Sequence, residues 1–304
     1  MRFVIALLLL LVGRVFGVET ELGTLEMRPG LDMTRAELRY VKTVSSPRAA
    51  LVLCPGANAT GENLVLSPFW QEFATEHQLA LVGLSFASPK NAIHERRGYY
   101  YASKGSGEVL IEGIRRIYGR DLPLILYGFS GGAQFASRFE EWMPEKVIAW
   151  CAYSAGWWDL PSRKAVAAPS RFLRPPGIVA CGEDDPRYGA SMIYFKQGRA
   201  AGKPWLWISL AHTAHSASSV LDDFVAKYFA AVLSWHDQKS LWVDIDLKKL
   251  ISSEEAASFP SQTAWLPSDA LFEAWSKIHD PSVLDYKSST DRQSGTSYRE
   301  TGVR

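Results

Sequence analysis

A formal net charge of +1 over 304 residues argues against a nucleic-acid partner, since proteins that bind nucleic acids carry a concentrated basic surface. Apolar residues make up 47% of the sequence, so the chain can bury a sizeable core in one large domain or two smaller ones. Cys54, Cys151 and Cys181 each lie in an apolar, strand-like run, which predicts buried free thiols rather than a disulfide framework.

The first 17 residues have the pattern of a secretory signal peptide. Met1 and Arg2 form a short basic start, residues 3–12 are continuously apolar, and Val15-Phe16-Gly17 resembles a cleavage site. The apolar run is about half of the roughly 20 residues that a membrane span needs. We therefore expect cleavage after Gly17, a secreted or periplasmic protein, and no stable membrane anchor.

Residues 18–236 alternate between strand-like and helix-like patterns, which predicts an α/β domain. Two alternating segments, residues 24–28 and 37–43, are typical of antiparallel strands. The apolar runs that follow cover residues 49–54, 80–86, 122–127, 147–153, 177–181 and 204–210, and the amphipathic helices cover residues 64–77, 107–118, 133–142, 190–201 and 216–234. This order predicts a mostly parallel sheet of about eight strands with helices on both faces.

Three segments fall outside this alternation. Residues 156–175 are rich in proline and basic residues and form a predicted loop, too short for a large cap domain. Residues 237–280 predict a C-terminal extension packed on the main domain, with Ser268 capping a helix over residues 269–275. Residues 281–304 are polar and without periodicity, so we expect a disordered tail.

The strongest signal for chemistry is the run Gly128-Phe129-Ser130-Gly131-Gly132, which lies between a predicted strand and a predicted helix. This is the setting that a G-x-S-x-G nucleophile elbow requires. Glycines at the flanking positions keep Cβ atoms out of the sharp, strained turn that exposes the serine hydroxyl. Ser130 is therefore the candidate nucleophile.

Candidates for an acid and a base follow two later strands. A serine hydroxyl is a weak nucleophile and needs an oriented base, and at such an elbow the acid precedes the histidine in the chain. Glu183, Asp184 and Asp185 follow one strand, and His212 and His215 follow the next. These side chains share one edge of the sheet, because parallel strands end there together. The two histidines have no further ligand at metal-site spacing nearby, so we expect no metal.

These motifs resemble the α/β-hydrolase superfamily. Over residues 48–234 the chain is similar in style to single-domain esterases around dienelactone hydrolase, to polyhydroxyalkanoate-depolymerase-like esterases, and to the prolyl oligopeptidase catalytic domain. The resemblance implies a secreted serine hydrolase that cleaves a small or polymer-derived carboxylic ester through an acyl-enzyme, without a metal or organic cofactor. The alternatives are a serine peptidase of the prolyl-oligopeptidase type and a catalytically silent, carbohydrate-binding homologue.

The resemblance also implies which acid and which base complete the triad. The family spacing Gly-x-x-Asp selects Asp185 as the acid, with Glu183 and Asp184 as alternates. His215 is the preferred base because it follows a short loop and directly precedes the last predicted helix of the main domain, whose cap could be Ser216. His212 would then only brace the loop.

Acyl transfer also needs two amide donors for the oxyanion. One is the N–H of Gly131, directly after the nucleophile. The other should come from the run Pro55-Gly56-Ala57-Asn58, which resembles the superfamily's His-Gly turn with proline in place of histidine. This assigns the second donor to Ala57. Residues 58–60 also form a glycosylation sequon, but a glycan so close to the site is not expected.

Three aromatic residues are candidates for substrate contact. Tyr99 and Tyr100 lie in the long loop after the fourth strand, and Trp157 follows the sixth strand. Both loops belong to the edge that carries the candidate triad. Aromatic side chains there would suit a sugar or an aryl group, although packing within the loops would explain them equally well.

Overall fold

A computed structural model of the chain describes residues 22–30, 32–162, 174–235 and 241–278. The predicted signal peptide, residues 1–17, and the predicted tail, residues 281–304, lie outside the described residues. Among the residues that are described, no helix is long and apolar enough to cross a membrane.

A mostly parallel sheet forms the centre of the fold. Its strands are β1 (Leu22–Glu26), β2 (Arg35–Val41), β3 (Ala49–Cys54), β4 (Leu79–Ala87), β5 (Leu124–Phe129), β6 (Val147–Tyr153), β7 (Gly177–Gly182) and β8 (Trp205–Leu210). Their order across the sheet is β1-β2-β4-β3-β5-β6-β7-β8. β2 pairs antiparallel with both β1 and β4, and the remaining neighbours are parallel. The predicted sheet of about eight strands is confirmed.

The inner strands are buried on both faces, as their continuous apolar sequences predict. Every residue of β3, β4, β7 and β8 is buried. The predicted free thiols Cys54, Cys151 and Cys181 are buried in β3, β6 and β7 and form no disulfide. With both faces of these strands covered, functional polar groups must lie at the strand ends.

Helices cover the sheet and continue into the C-terminal extension. The described α-helices are α1 (Glu62–Val65), α2 (Pro68–Glu76), α3 (Ser106–Tyr118), α4 (Gly131–Trp142), α5 (Tyr188–Ala200), α6 (Ser219–Leu233), α7 (Ser253–Ser258) and α8 (Ala270–Lys277). The single helix predicted over residues 64–77 is in fact two, α1 and α2. Pro68 cannot continue a helix and instead begins α2, while Ser67 before it is extended.

The last helix of the main domain also begins later than predicted. Its N-cap is Ser218 rather than Ser216, and the Ser218 hydroxyl accepts a hydrogen bond from the backbone N–H of Leu221 at 3.3 Å. The later start leaves residues 211–218 as a loop, and this loop carries both candidate histidines.

The C-terminal extension contains a small antiparallel sheet that packs on the main domain. Its strands are β9 (Leu241–Asp244), β10 (Lys249–Ile251) and β11 (Thr263–Leu266), with β9 in the middle. Arg199 Nε of α5 donates to the Thr263 carbonyl at 2.9 Å. Trp275 Nε1 of α8 donates to the Trp207 carbonyl of β8 at 2.9 Å. The helix predicted over residues 269–275 is α8, whose N-cap is Asp269 rather than the predicted Ser268, although the Ser268 hydroxyl accepts a hydrogen bond from the Ala270 N–H at 3.2 Å. The extension therefore braces β8, the strand that leads into the histidine loop.

Candidate active site

Ser130 occupies a strained turn between β5 and α4. Its φ of 52° and ψ of −114° lie in a region that residues with a Cβ rarely adopt. A Cβ on Gly128 would lie 2.3 Å from the Gly132 carbonyl oxygen, and a Cβ on Gly132 would lie 2.0 Å from the Cys54 carbonyl oxygen. The two glycines of the motif are thus required by close backbone contact, and they hold the serine at the end of β5.

His215 lies beside the serine hydroxyl. Its Nε2 is 3.0 Å from Ser130 Oγ, which is hydrogen-bonding distance. The imidazole stacks on the Phe129 ring, with centroids 4.9 Å apart. The Tyr153 hydroxyl donates to the Ser216 carbonyl at 2.7 Å and fixes the loop next to the histidine. The alternative base His212 is exposed, so the structure brings His215 to the serine.

Asp185 holds the other side of the imidazole. Its Oδ2 is 2.7 Å from His215 Nδ1, and the residue is only 2% exposed. The alternates Glu183 and Asp184 are exposed at the surface of the same turn, and Glu183 accepts a hydrogen bond from the Ser209 hydroxyl at 2.7 Å. Of the three acidic residues, Asp185 is the one in contact with the histidine.

Arg187 is a further neighbour of the Asp185 carboxyl. Its backbone N–H donates to Asp185 Oδ1 at 3.0 Å, and its Nη1 lies 3.3 Å from the same oxygen. Burial raises the pKa of Asp185, but hydrogen bonds from the Arg187 N–H, His215 and Ser154 outweigh burial and bring the pKa below its ordinary value of 3.8. Sequence reasoning missed Arg187, because an arginine two residues after an acid looks like an ordinary surface residue.

The two candidate oxyanion donors are neighbours in space. A Cβ on Gly131 would lie 3.0 Å from the Ala57 nitrogen and 2.9 Å from Ala57 Cα. Within the described part of the chain, neither the Ala57 N–H nor the Gly131 N–H donates to a protein acceptor. Ala57 is an exposed residue, whereas Gly131 is buried at the start of α4.

The predicted substrate-contacting aromatics have different surroundings. The Tyr99 hydroxyl lies 2.9 Å from the position of a Gly131 Cβ, so Tyr99 borders the site. Tyr99 and Tyr100 are buried, with ring centroids 4.2 Å apart, and burial raises the pKa of both hydroxyls. Trp157 is 55% exposed, and its ring contact in the described structure is with His94, at 6.3 Å. The structure brings Tyr99 to the candidate site and does not bring the Trp157 ring to the triad.

Comparison with known proteins identifies the fold. A scan against protein-family models gave no match, and a search of curated proteins gave none either. Among solved structures, the chain is similar to LpqC, a poly(3-hydroxybutyrate) depolymerase from Bordetella parapertussis, with 17% identity, a TM-score of 0.50, and coverage of 79% of this chain and 95% of that one. A hyperthermophilic esterase from the archaeon Pyrobaculum calidifontis gives 13% identity, a TM-score of 0.50, and coverage of 71% of this chain and 86% of that one.

These likenesses confirm the predicted α/β-hydrolase fold. In the described ranges no large cap domain is added to it. Nor do three or more histidine, cysteine, aspartate or glutamate side chains come together there as metal ligands. At these sequence identities the likeness concerns the fold, and what the site does must be argued from its own geometry.

Proposed function

We propose that the protein is a serine hydrolase that cleaves carboxylic esters through an acyl-enzyme on Ser130. The observation that carries this proposal is the unbroken hydrogen-bonded series from Ser130 Oγ through His215 to Asp185, with distances of 3.0 and 2.7 Å. A strained nucleophile turn beside the neighbouring amides of Gly131 and Ala57 adds the remaining part that acyl transfer needs. A carbohydrate-binding homologue without catalysis would have no use for this arrangement.

In the acylation step Ser130 Oγ attacks the ester carbonyl carbon while His215 Nε2 takes the hydroxyl proton. Asp185 stays ionised and stabilises the imidazolium through Nδ1–H. The carbonyl oxygen becomes an oxyanion, and the N–H groups of Gly131 and Ala57 are its donors. The intermediate collapses by breaking the bond to the alcohol oxygen, which leaves with the proton from His215.

Deacylation repeats the same steps with water. His215 takes a proton from water, whose oxygen attacks the acyl carbon bound to Ser130. The second oxyanion uses the same two amides, and its collapse returns the proton to Ser130 and releases the carboxylic acid. Every proton that moves in this cycle comes from the Ser130 hydroxyl or from water, and His215 carries it.

A panel of substrates tests the proposed reaction. We expect p-nitrophenyl esters to be hydrolysed and aminoacyl nitroanilides to be left intact, with Ser130→Ala as the inactive control. Short 3-hydroxybutyrate oligomers belong in the panel, because one structural neighbour carries the name of a depolymerase for that polyester. Turnover of nitroanilides alone would establish the peptidase alternative, and turnover of neither class would contradict the proposal.

We also propose that the protein is exported and loses residues 1–17. The support is the basic start, the short apolar run and Val15-Phe16-Gly17. N-terminal sequencing of exported protein should begin at Val18. An intact Met1 recovered in a membrane fraction would overturn this part of the proposal.

A further inference from the structure

We propose that Asn58 is a positioning residue for ester hydrolysis, one that fastens the turn carrying the Ala57 N–H beside the nucleophile. This inference rests on the proposed function, and it assigns Asn58 a role that the triad and the two amides alone do not reveal. Asn58 does not touch the reacting atoms. It acts through the neighbouring amide.

The carboxamide of Asn58 ties its turn to the end of the adjacent strand. Asn58 Nδ2 donates to the Ser88 carbonyl at 3.1 Å, and the Ser88 N–H donates back to Asn58 Oδ1 at 3.0 Å. Ser88 directly follows β4, which pairs in parallel with β3. The turn after β3 is therefore held to its neighbour by two reciprocal hydrogen bonds at the edge of the sheet that carries Ser130.

Two further groups fasten the same turn. Arg35 of β2 donates through Nη2 to the carbonyls of Asn58 and Ala59, at 2.7 and 2.8 Å, and through Nε to the Ser85 carbonyl at 2.9 Å. The Tyr99 hydroxyl accepts the Asn58 N–H at 3.4 Å. The backbone N–H, the backbone carbonyl and the carboxamide of Asn58 thus all form hydrogen bonds. The neighbouring Ala57 N–H has no protein acceptor among the described residues.

Asparagine meets two requirements at this position. Its φ of 59° is left-handed, which glycine and asparagine tolerate better than other residues. Glycine would supply the backbone conformation without the two hydrogen bonds, and aspartate would set a carboxylate oxygen against the Ser88 carbonyl. A glycan on Nδ2, which the sequon at residues 58–60 would permit, would disturb the bond to Ser88.

This fastening matters because an oxyanion donor must be in place before the charge develops. Removing one donor costs about 10²–10³ in kcat, and a displacement of about 1 Å can cost about 10². Loosening the turn would cost part of that factor in kcat. It would weaken the stabilisation of the oxyanion more than the binding of the ester. The effect should therefore be concentrated in kcat.

The experiment compares Asn58→Gly with Gln78→Gly. Gln78 also has a left-handed φ, of 55°, but its side chain is exposed and it precedes β4, at the opposite edge of the sheet. For Asn58→Gly we expect kcat for p-nitrophenyl acetate to fall about 10- to 100-fold while KM changes less than about threefold. The Ki of a trifluoromethyl ketone, whose adduct on the serine is an oxyanion, should rise by a similar factor. Gln78→Gly should match the wild type in all three quantities.

Several outcomes would overturn the inference. Wild-type kcat and Ki in a folded Asn58→Gly variant would do so, and so would equal losses in Gln78→Gly. If Asn58→Gly does not fold, Arg35→Met, which removes the second fastening, must show the same loss in kcat and rise in Ki. A wild-type protein that neither hydrolyses the ester nor binds the ketone would refute the proposed function itself, and the inference with it. An active wild type with an unaffected variant refutes the inference alone.

Discussion

At the scale of single residues, His215 contacts both of its partners through its two ring nitrogens, whereas His212 is exposed on the same loop. His215→Ala should therefore lose nearly as much activity as Ser130→Ala, several orders of magnitude in kcat, because members of a triad act as a unit. His212→Ala serves as the matched control and should stay close to the wild type. Steady-state hydrolysis of p-nitrophenyl acetate measures both, and a more severe defect in His212→Ala would reverse the assignment of the base.

The acid offers a similar comparison between adjacent residues. Asp185 is buried against the imidazole and Asp184 is exposed. Asp185→Asn keeps the shape of the side chain but favours the wrong histidine tautomer, a change that costs roughly 10⁴ in kcat in a well-characterised serine protease. We expect a loss of that order here and none for Asp184→Asn. Equal activities of the two variants, both verified as folded by circular dichroism, would show that Asp185 does not orient the base.

At the scale of elements, continuous apolar runs predicted the parallel strands because strands covered on both faces need no polar alternation. The break at Pro68 was visible in the sequence, yet the amphipathic pattern runs across it and concealed the two helices. The triad residues could be found because each follows a strand. Asn58 and Ser88 are 30 residues apart, and no local pattern in one sequence connects their side-chain and backbone groups.

An ionic cluster joins α4 to the turn before β8. Lys203 Nζ lies 3.1 and 3.2 Å from the two carboxylate oxygens of Glu140, with both residues almost fully buried, and it also contacts Glu141. Burial raises the pKa of Glu140 from its ordinary 4.5 to about 7, although the charge of Lys203 lowers it. The cluster fixes α4, whose N-terminus carries the candidate oxyanion donor Gly131.

The raised pKa of Glu140 predicts the direction in which the unfolding free energy changes with pH. Between pH 4.5 and about 7 the folded protein holds a proton on Glu140 that the unfolded chain releases, so this group's contribution to stability falls as pH rises. In Glu140→Gln the contribution is absent. Urea unfolding at a series of pH values should show the difference in unfolding free energy between wild type and variant changing across this window. A difference in unfolding free energy that stays constant with pH would show that the pKa of Glu140 is not raised by folding.

At the scale of the whole molecule, the C-terminal extension is anchored on the main domain by Trp275, which is fully buried and bonded to β8. Trp275→Ala should lower the unfolding free energy by about 3–5 kcal/mol, as large-to-small changes in a core do. Phe259→Ala is the control within the same extension, because Phe259 is 59% exposed and surface changes usually stay within about 0.5 kcal/mol. Urea unfolding followed by tryptophan fluorescence measures both, and similar small effects would mean that the extension contributes little to the stability of the domain.

The central claim is that Ser130 is an activated nucleophile. Labelling with a fluorophosphonate tests it most directly, because Ser130 Oγ would displace fluoride and form a stable bond to phosphorus only if His215 can take its proton. Intact-protein mass spectrometry should show one adduct per chain, and peptide mapping should place it on Ser130. The adduct should be absent from Ser130→Ala and strongly reduced in His215→Ala. A wild-type protein that stays unlabelled, or that carries the adduct on another residue, would contradict this account of the site.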